Sequence, residues 1–115
     1  MHHIIVCLSC RPASAPAPNG QLLLDRLAQA LPEFTLSGTE CMSGCTRPCT
    51  LAFRAAGKAA YLFGDVDPTG DTTELVAFAR AYAALPDGWV SDARGFPVLR
   101  KGAIARIPAA PALPD

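Results

Sequence analysis

The sequence predicts an α/β domain with a four-stranded mixed sheet and two helices, in the order β-α-β followed by β-β-α. Two observations support this class. Short runs rich in β-branched and aromatic residues alternate with two segments whose apolar residues recur at the spacing of one helix face. Proline- and glycine-containing segments separate these runs. The length of 115 residues suits a single core, so we expect one main domain.

The first part of the chain predicts the β-α-β unit. The run Ile4-Ile5-Val6 is typical of a strand that is buried on both faces. A loop with three prolines follows, and leucines at i, i+1, i+4 and i+8 then predict a helix with Asn19 as its N-cap. Alternating apolar and polar residues predict the second strand. These elements are a strand over 3–7, a helix over 20–31 and a strand over 34–41.

The second part predicts a hairpin and a helix. Two apolar strands, 50–54 and 59–63, are joined by a short loop that contains Gly57. Asp71 and Glu74 have the spacing of a capping box, and the apolar periodicity that follows predicts a helix to about residue 85. A right-handed crossover makes strands 1 and 2 parallel neighbours, and the antiparallel hairpin completes a thioredoxin-like arrangement. We therefore divide the chain into a domain over 1–88 and an irregular Pro- and Arg-containing tail over 89–115, which packs on the domain or on a partner.

All five cysteines are predicted to meet at one edge of this sheet. They form two groups, Cys7 with Cys10 and Cys41 with Cys45 and Cys49. Because strands 1 and 2 are parallel, their C-terminal ends lie at the same edge. The third strand must begin at that edge if it runs antiparallel to the first, which brings Cys49 near the others.

Clustered thiols in a reduced compartment indicate metal binding or redox catalysis. Thiolates are soft ligands that suit zinc, copper(I) or iron–sulfur clusters, and a four-thiolate site needs two such ligand pairs. One alternative is a zinc site. Another is a thiol–disulfide oxidoreductase that uses the C-x-x-C of Cys7 and Cys10. Such enzymes gain a lowered thiol pKa partly from a helix N-terminus, whereas the proline-rich loop delays the predicted helix by about ten residues here.

The pattern Cys41-x3-Cys45-x3-Cys49, running into the predicted hairpin, resembles two families. It is similar to the thioredoxin-like 2Fe-2S ferredoxins, and more similar to a small bacterial family of predicted metal-binding proteins often encoded near cobalamin-biosynthesis genes. The resemblance covers about residues 3–85 and, for the second family, extends into Arg100-Lys101-Gly102 and residues 105–108.

The resemblance to the ferredoxins implies Cys7, Cys41 and Cys45 as ligands of a 2Fe-2S cluster. Cys10 is the only candidate for the ligand that the ferredoxins carry much later in the loop, and Cys49 has no usual counterpart there. We therefore assign Cys7, Cys10, Cys41 and Cys45 as the metal ligands and Cys49 as an alternative or auxiliary ligand. The implied function is one-electron transfer to a partner enzyme. The alternative is the handling or sensing of zinc, copper or cobalt, linked to a cobalamin pathway.

The net charge, the short apolar runs and the absence of known catalytic motifs argue against several other classes of function. Ten basic and ten acidic residues cancel, so the net charge favours neither nucleic acid nor an anionic membrane as a partner. No apolar run approaches the roughly 20 residues of a membrane span, and no signal peptide is recognised, so we expect a cytoplasmic protein. No P-loop, dinucleotide fingerprint or Ser/His/Asp set indicates an enzyme with its own substrate. The expected partner is a redox or metal-handling protein, with a homodimer as the alternative assembly.

Two histidines near the N-terminus are not expected to be metal ligands. His3 precedes Cys7 by four residues on an extended strand, which separates them by ~13 Å. His2 lies one residue farther away. The two histidines are therefore placed at the opposite end of the sheet from the cysteines.

Overall fold

A computed structural model describes residues 2–9, 17–40, 47, 49–90 and 95–109 of the chain. Within these ranges, five strands form one mixed sheet in the order β2-β1-β3-β4-β5, accompanied by three helices. The elements are β1 His2–Cys7, α1 Gly20–Ala30, β2 Thr35–Thr39, β3 Leu51–Ala55, β4 Ala60–Phe63, α2 Thr73–Ala84, α3 Pro97–Gly102 and β5 Ala103–Ile107.

The pairing of β1 confirms the predicted topology. It runs parallel to β2, with Cys7 opposite Thr39, and antiparallel to β3, with Val6 opposite Leu51. β3 and β4 form the predicted antiparallel hairpin. The C-terminal ends of β1 and β2 and the N-terminal end of β3 consequently lie at one end of the sheet.

The apolar residues that predicted each element form one core. Leucines of α1 and the aromatic face of α2 are buried together with inward-facing residues of β1, β3 and β4. Leu51 and Phe53 of β3 are fully buried, as their alternation predicted. The ring of Phe53 lies 5.0 Å from that of Phe78 and 5.8 Å from that of Phe63, both edge-to-face. None of the described helices has the length and apolar character needed to cross a membrane.

The predicted strand and helix counts were each one too low. Part of the segment that we expected to be an irregular tail forms α3 and β5, and β5 pairs antiparallel with β4. Pro97 occupies the first turn of α3, where its missing N–H costs no helical hydrogen bond. Four of the five β5 residues are exposed, so this edge strand lacks the alternation that reveals a strand in a sequence.

Neither predicted cap forms as expected. The side chain of Asn19 makes no capping hydrogen bond to α1. The N-cap residue of α2 is Thr72 instead of the predicted Asp71, whose carboxylate accepts hydrogen bonds from the N–H and hydroxyl of Thr73. Glu74 does not close a capping box, because its Oε2 accepts a hydrogen bond from the backbone N–H of Leu99 at 2.6 Å, in the first turn of α3. The side chain of Glu74 thus serves a contact between elements that are distant in the sequence, and Asn19 Oδ1 likewise accepts from Cys49, 30 positions away.

Candidate metal centre

Cys7 is the last residue of β1 and is held at the end of the sheet. Its backbone N–H donates to the carbonyl oxygen of Thr50 at 3.0 Å, which continues the pairing of β1 with β3. The side chain is 1% exposed. Its Sγ lies 3.8 Å from the Glu40 carbonyl oxygen and 3.6 Å from Ser9 Oγ. The residues that follow β1 and β2 therefore approach this sulfur.

Cys49 packs against Cys7, and the two form a small buried cluster of their own. Cys49 is fully buried and lies two residues before β3. Its backbone is fixed by a reciprocal pair of 3.1 Å hydrogen bonds with Val66. The structure thus brings together two thiols that are 42 positions apart in the sequence, at the end of the sheet where the cysteines were expected.

The predictions for Cys10, Cys41 and Cys45 lie outside the described residues. The residues that precede two of them in the sequence are described, and both contact the Cys7 side chain: Ser9 through its hydroxyl and Glu40 through its carbonyl oxygen. Among the described residues, no group of three or more His, Cys, Asp or Glu side chains is arranged to hold a metal ion. The described part of the centre consequently supplies the donors Cys7 and Cys49.

The start of α1 lies against the same two cysteines. The backbone of Gly20 approaches Cys7 so closely that a Cβ at this position would collide with the Cys7 carbonyl oxygen. Only glycine fits this contact without displacing the backbone. The proline-rich loop therefore does not keep the helix N-terminus away from the cysteines, contrary to the argument from the sequence. A helix N-terminus favours negative charge nearby, which suits thiolates.

Asn19 is the site residue that the sequence analysis assigned to a different task. Its Oδ1 accepts a hydrogen bond from Cys49 Sγ at 3.5 Å. The sequence identified Asn19 only as a helix cap, because the pairing with Cys49 depends on a contact across 30 positions. No local pattern marks it.

The charged side chains of Arg47, Asp67 and Asp71 each have a partner of their own. Arg47 forms an ion pair with Asp65 at 2.8 Å and donates to the Lys101 carbonyl oxygen at 2.8 Å. Its charge is therefore matched by a carboxylate. Hydrogen bonds from the hydroxyl and N–H of Thr69 lower the pKa of Asp67, and those from Thr73 lower the pKa of Asp71 in the same way. These carboxylates stabilise local turns.

His2 lies at the start of β1 and Cys7 at its end. The His2 ring lies 5.5 Å from the ring of Phe34 and 6.0 Å from that of Tyr82. Its Nε2 is 2.7 Å from Lys58 Nζ. These contacts hold the half-buried imidazole at the end of the sheet remote from the cysteines.

The sheet order and the two sheet-packed helices define a thioredoxin-like α/β protein. Two solved structures of the thioredoxin-like [2Fe-2S] ferredoxin from Aquifex aeolicus are similar to it, each with a TM-score of 0.57. One is 14% identical, with 92% of both chains covered. The other is 17% identical and covers 91% of this chain and 97% of the ferredoxin. No curated protein sequence matches significantly.

The chain belongs to the DUF1636 family, which is described as a family of proteins of unknown function. The family model matches residues 4–109, from the first buried strand to beyond β5. The match therefore includes both cysteine groups and the segment that forms α3 and β5.

Proposed function

We propose that this protein carries one thiolate-ligated centre, a 2Fe-2S cluster, and transfers single electrons to a partner protein in the cytoplasm. The observation that carries the proposal is the contact of two buried cysteine side chains, Cys7 and Cys49, at the end of the sheet. The fold that the chain shares with a thioredoxin-like [2Fe-2S] ferredoxin supports the same assignment.

The donor chemistry fits such a group. Cysteine sulfur is the ligand that iron–sulfur clusters require. The proposed ligands are Cys7, Cys10, Cys41 and Cys45, with Cys49 as the alternative or auxiliary sulfur. A bound cluster would supply a one-electron couple. The chain would contribute the fixed position of Cys7, through the Thr50 hydrogen bond, and the exclusion of water from Cys7 and Cys49.

The test is anaerobic purification followed by analysis of iron, acid-labile sulfide and the visible and EPR spectra. We expect a coloured protein with about two irons and two sulfides per chain, the content of a 2Fe-2S centre. A colourless protein with one zinc per chain and no sulfide would contradict the cluster and favour a zinc protein. Stoichiometric copper or cobalt would favour metal handling instead. A metal-free protein with a reversible disulfide between Cys7 and Cys10 would favour the oxidoreductase.

A further inference from the structure

Asn19 occupies the N-cap position of α1, where an asparagine side chain normally caps its own helix. Asparagine is among the most favourable N-cap residues, because its side-chain oxygen accepts a hydrogen bond from the second or third N–H of the helix. Asn19 is the N-cap residue of α1, yet its side chain makes no such bond. The Leu22 N–H instead donates to the Asn19 backbone carbonyl oxygen at 3.2 Å. The carboxamide is therefore directed away from its own helix.

The carboxamide is directed at Cys49. The thiol of Cys49 donates to Asn19 Oδ1 at 3.5 Å, and Cys49 in turn packs against Cys7. The next residue, Gly20, touches the Cys7 carbonyl oxygen. The dipeptide at the start of α1 thus contacts both described cysteines, one through a side chain and the other through the backbone.

We propose that Asn19 is a positioning residue of the centre, which holds the Cys49 thiol in one orientation against Cys7. A thiol has a single proton to donate. While Asn19 Oδ1 accepts that proton, the Cys49 thiol does not donate it to the Cys7 sulfur. Without the acceptor, the Cys49 S–H can turn and donate to Cys7. Hydrogen bonds to cluster sulfurs are one of the means by which proteins set the reduction potential. This redox consequence rests on the proposed function, whereas the contact itself does not.

Two substitutions separate positioning of Cys49 from capping of α1. Asn19→Ser keeps a strong N-cap residue but is too short to reach Cys49, while Asn19→Asp keeps both the cap and the reach of the acceptor. The first measurement is the S–H stretching band of Cys49 in the Raman spectrum of the reduced, metal-free full chain, assigned by its loss in Cys49→Ser. We expect this band to shift in Asn19→Ser, because the Cys49 S–H then donates to the Cys7 sulfur, a weaker acceptor than the carboxamide oxygen. Asn19→Asp should leave it close to that of a strongly hydrogen-bonded thiol.

The second measurement is the midpoint potential of the loaded protein, which we expect to be higher in Asn19→Ser than in the unsubstituted chain. A Cys49 band unchanged in Asn19→Ser would overturn the proposal. So would a shifted band with an unchanged potential in protein that carries the cluster, because Asn19 would then have no influence on the centre. If the protein takes up no cluster, the proposed function fails, and the Raman measurement alone decides whether Asn19 holds Cys49. Thermal unfolding of both variants should stay close to that of the unsubstituted chain.

Discussion

At the scale of single residues, mutagenesis can distinguish whether Cys49 is a ligand of the centre or a neighbour of its ligands. It is fully buried beside Cys7, although the resemblance to the ferredoxins gives it no counterpart. If Cys45 is the fourth ligand, Cys49→Ser should leave metal occupancy nearly intact and change the potential or oxygen sensitivity. Cys45→Ser should empty the site or recruit Cys49. Iron content and EPR spectra of the two single variants and the double variant test this. Full occupancy in Cys45→Ser with loss in Cys49→Ser would show that Cys49 is the ligand.

His2 is a residue whose protonation is linked to stability. Burial, and next the positive charge of Lys58, lower its pKa below the usual 6.5. The 2.7 Å contact requires a neutral ring, because the Lys58 ammonium group donates to the Nε2 lone pair. Lys58 also donates to the carbonyl oxygens of Tyr82 and Ala83, near the end of α2. Protonation of His2 would therefore oppose both the packing and the hydrogen bond.

The lowered pKa of His2 predicts that the folded protein becomes less stable as the pH decreases. The unfolded chain binds a proton at His2 more readily than the folded chain, so stability is highest above pH 6.5 and falls as the pH decreases from 6.5 toward the lowered pKa. Melting temperatures measured from pH 7.5 to 5.5 should show this fall. His2→Phe, which retains a ring beside Phe34, should flatten it and leave metal occupancy unchanged. A His2→Phe protein with an unchanged slope would exclude His2 as the cause, and one without metal would overturn its placement remote from the centre.

The positions of some residues in the site could be predicted from the sequence, whereas the contacts of others could not. The position of Cys7 at the end of β1 follows from the apolar run before it, and the place of Cys49 beside it follows from strand direction. The hydrogen bond of Asn19 to Cys49 and that of Glu74 to Leu99 could not be predicted, because each replaces a local cap by a contact with a distant segment. In both cases the local sequence identified a polar side chain at a helix start but not the distant group to which it is hydrogen-bonded.

At the scale of elements, Glu74 joins two helices that the chain places far apart. It lies in the first turn of α2 and accepts from Leu99 N–H in the first turn of α3, which supplies the missing cap of the shorter helix. A six-residue helix has little stability of its own, so this hydrogen bond helps to dock α3 and the strand that follows it.

Glu74→Ala should consequently destabilise the protein by about 1 kcal/mol, the usual cost of losing a cap. Amide hydrogen exchange should increase in α3 and β5 more than in β1. Glu74→Gln keeps an acceptor and should recover most of the loss. The matched control is Glu33→Ala, which removes only an exposed ion pair with Arg80 at 3.7 Å and should change stability by less than about 0.5 kcal/mol. Equal effects of Glu74→Ala and Glu33→Ala would contradict the capping role.

Most elements that the sequence predicted correctly supply buried apolar residues to the core, as β1, β3, β4, α1 and α2 do. β2 was also predicted although none of its residues is fully buried, because its alternation places Leu36 against the core. β5 and α3 lack such an apolar pattern. β5 is an edge strand with exposed isoleucines at 104 and 107, and α3 is shorter than two turns. Their formation depends on pairing with β4 and on the Glu74 contact, which are tertiary interactions.

At the scale of the whole molecule, the centre lies where several distant segments of the chain meet. The end of β1, the residue after β2, the start of α1 and the segment before β3 all contact Cys7 or Cys49. A ligand that binds the folded protein but not the unfolded chain stabilises the fold by mass action. A metal bound by cysteines from these segments would therefore act as a cross-link between them.

Loading the centre should accordingly raise the melting temperature of the full chain, and removing the metal with a chelator should lower it. The stabilisation amounts to about 4 kcal/mol when a free ligand is present at about 1,000 times its Kd. Cys7→Ser, treated in the same reconstitution mixture, should take up no metal and melt at the same temperature with and without it. Comparing loaded and metal-free forms of both chains separates the loss of the ligand from any packing change at this buried position. If Cys7→Ser gains as much stability on loading as the unsubstituted chain, Cys7 is not a ligand and the metal binds elsewhere.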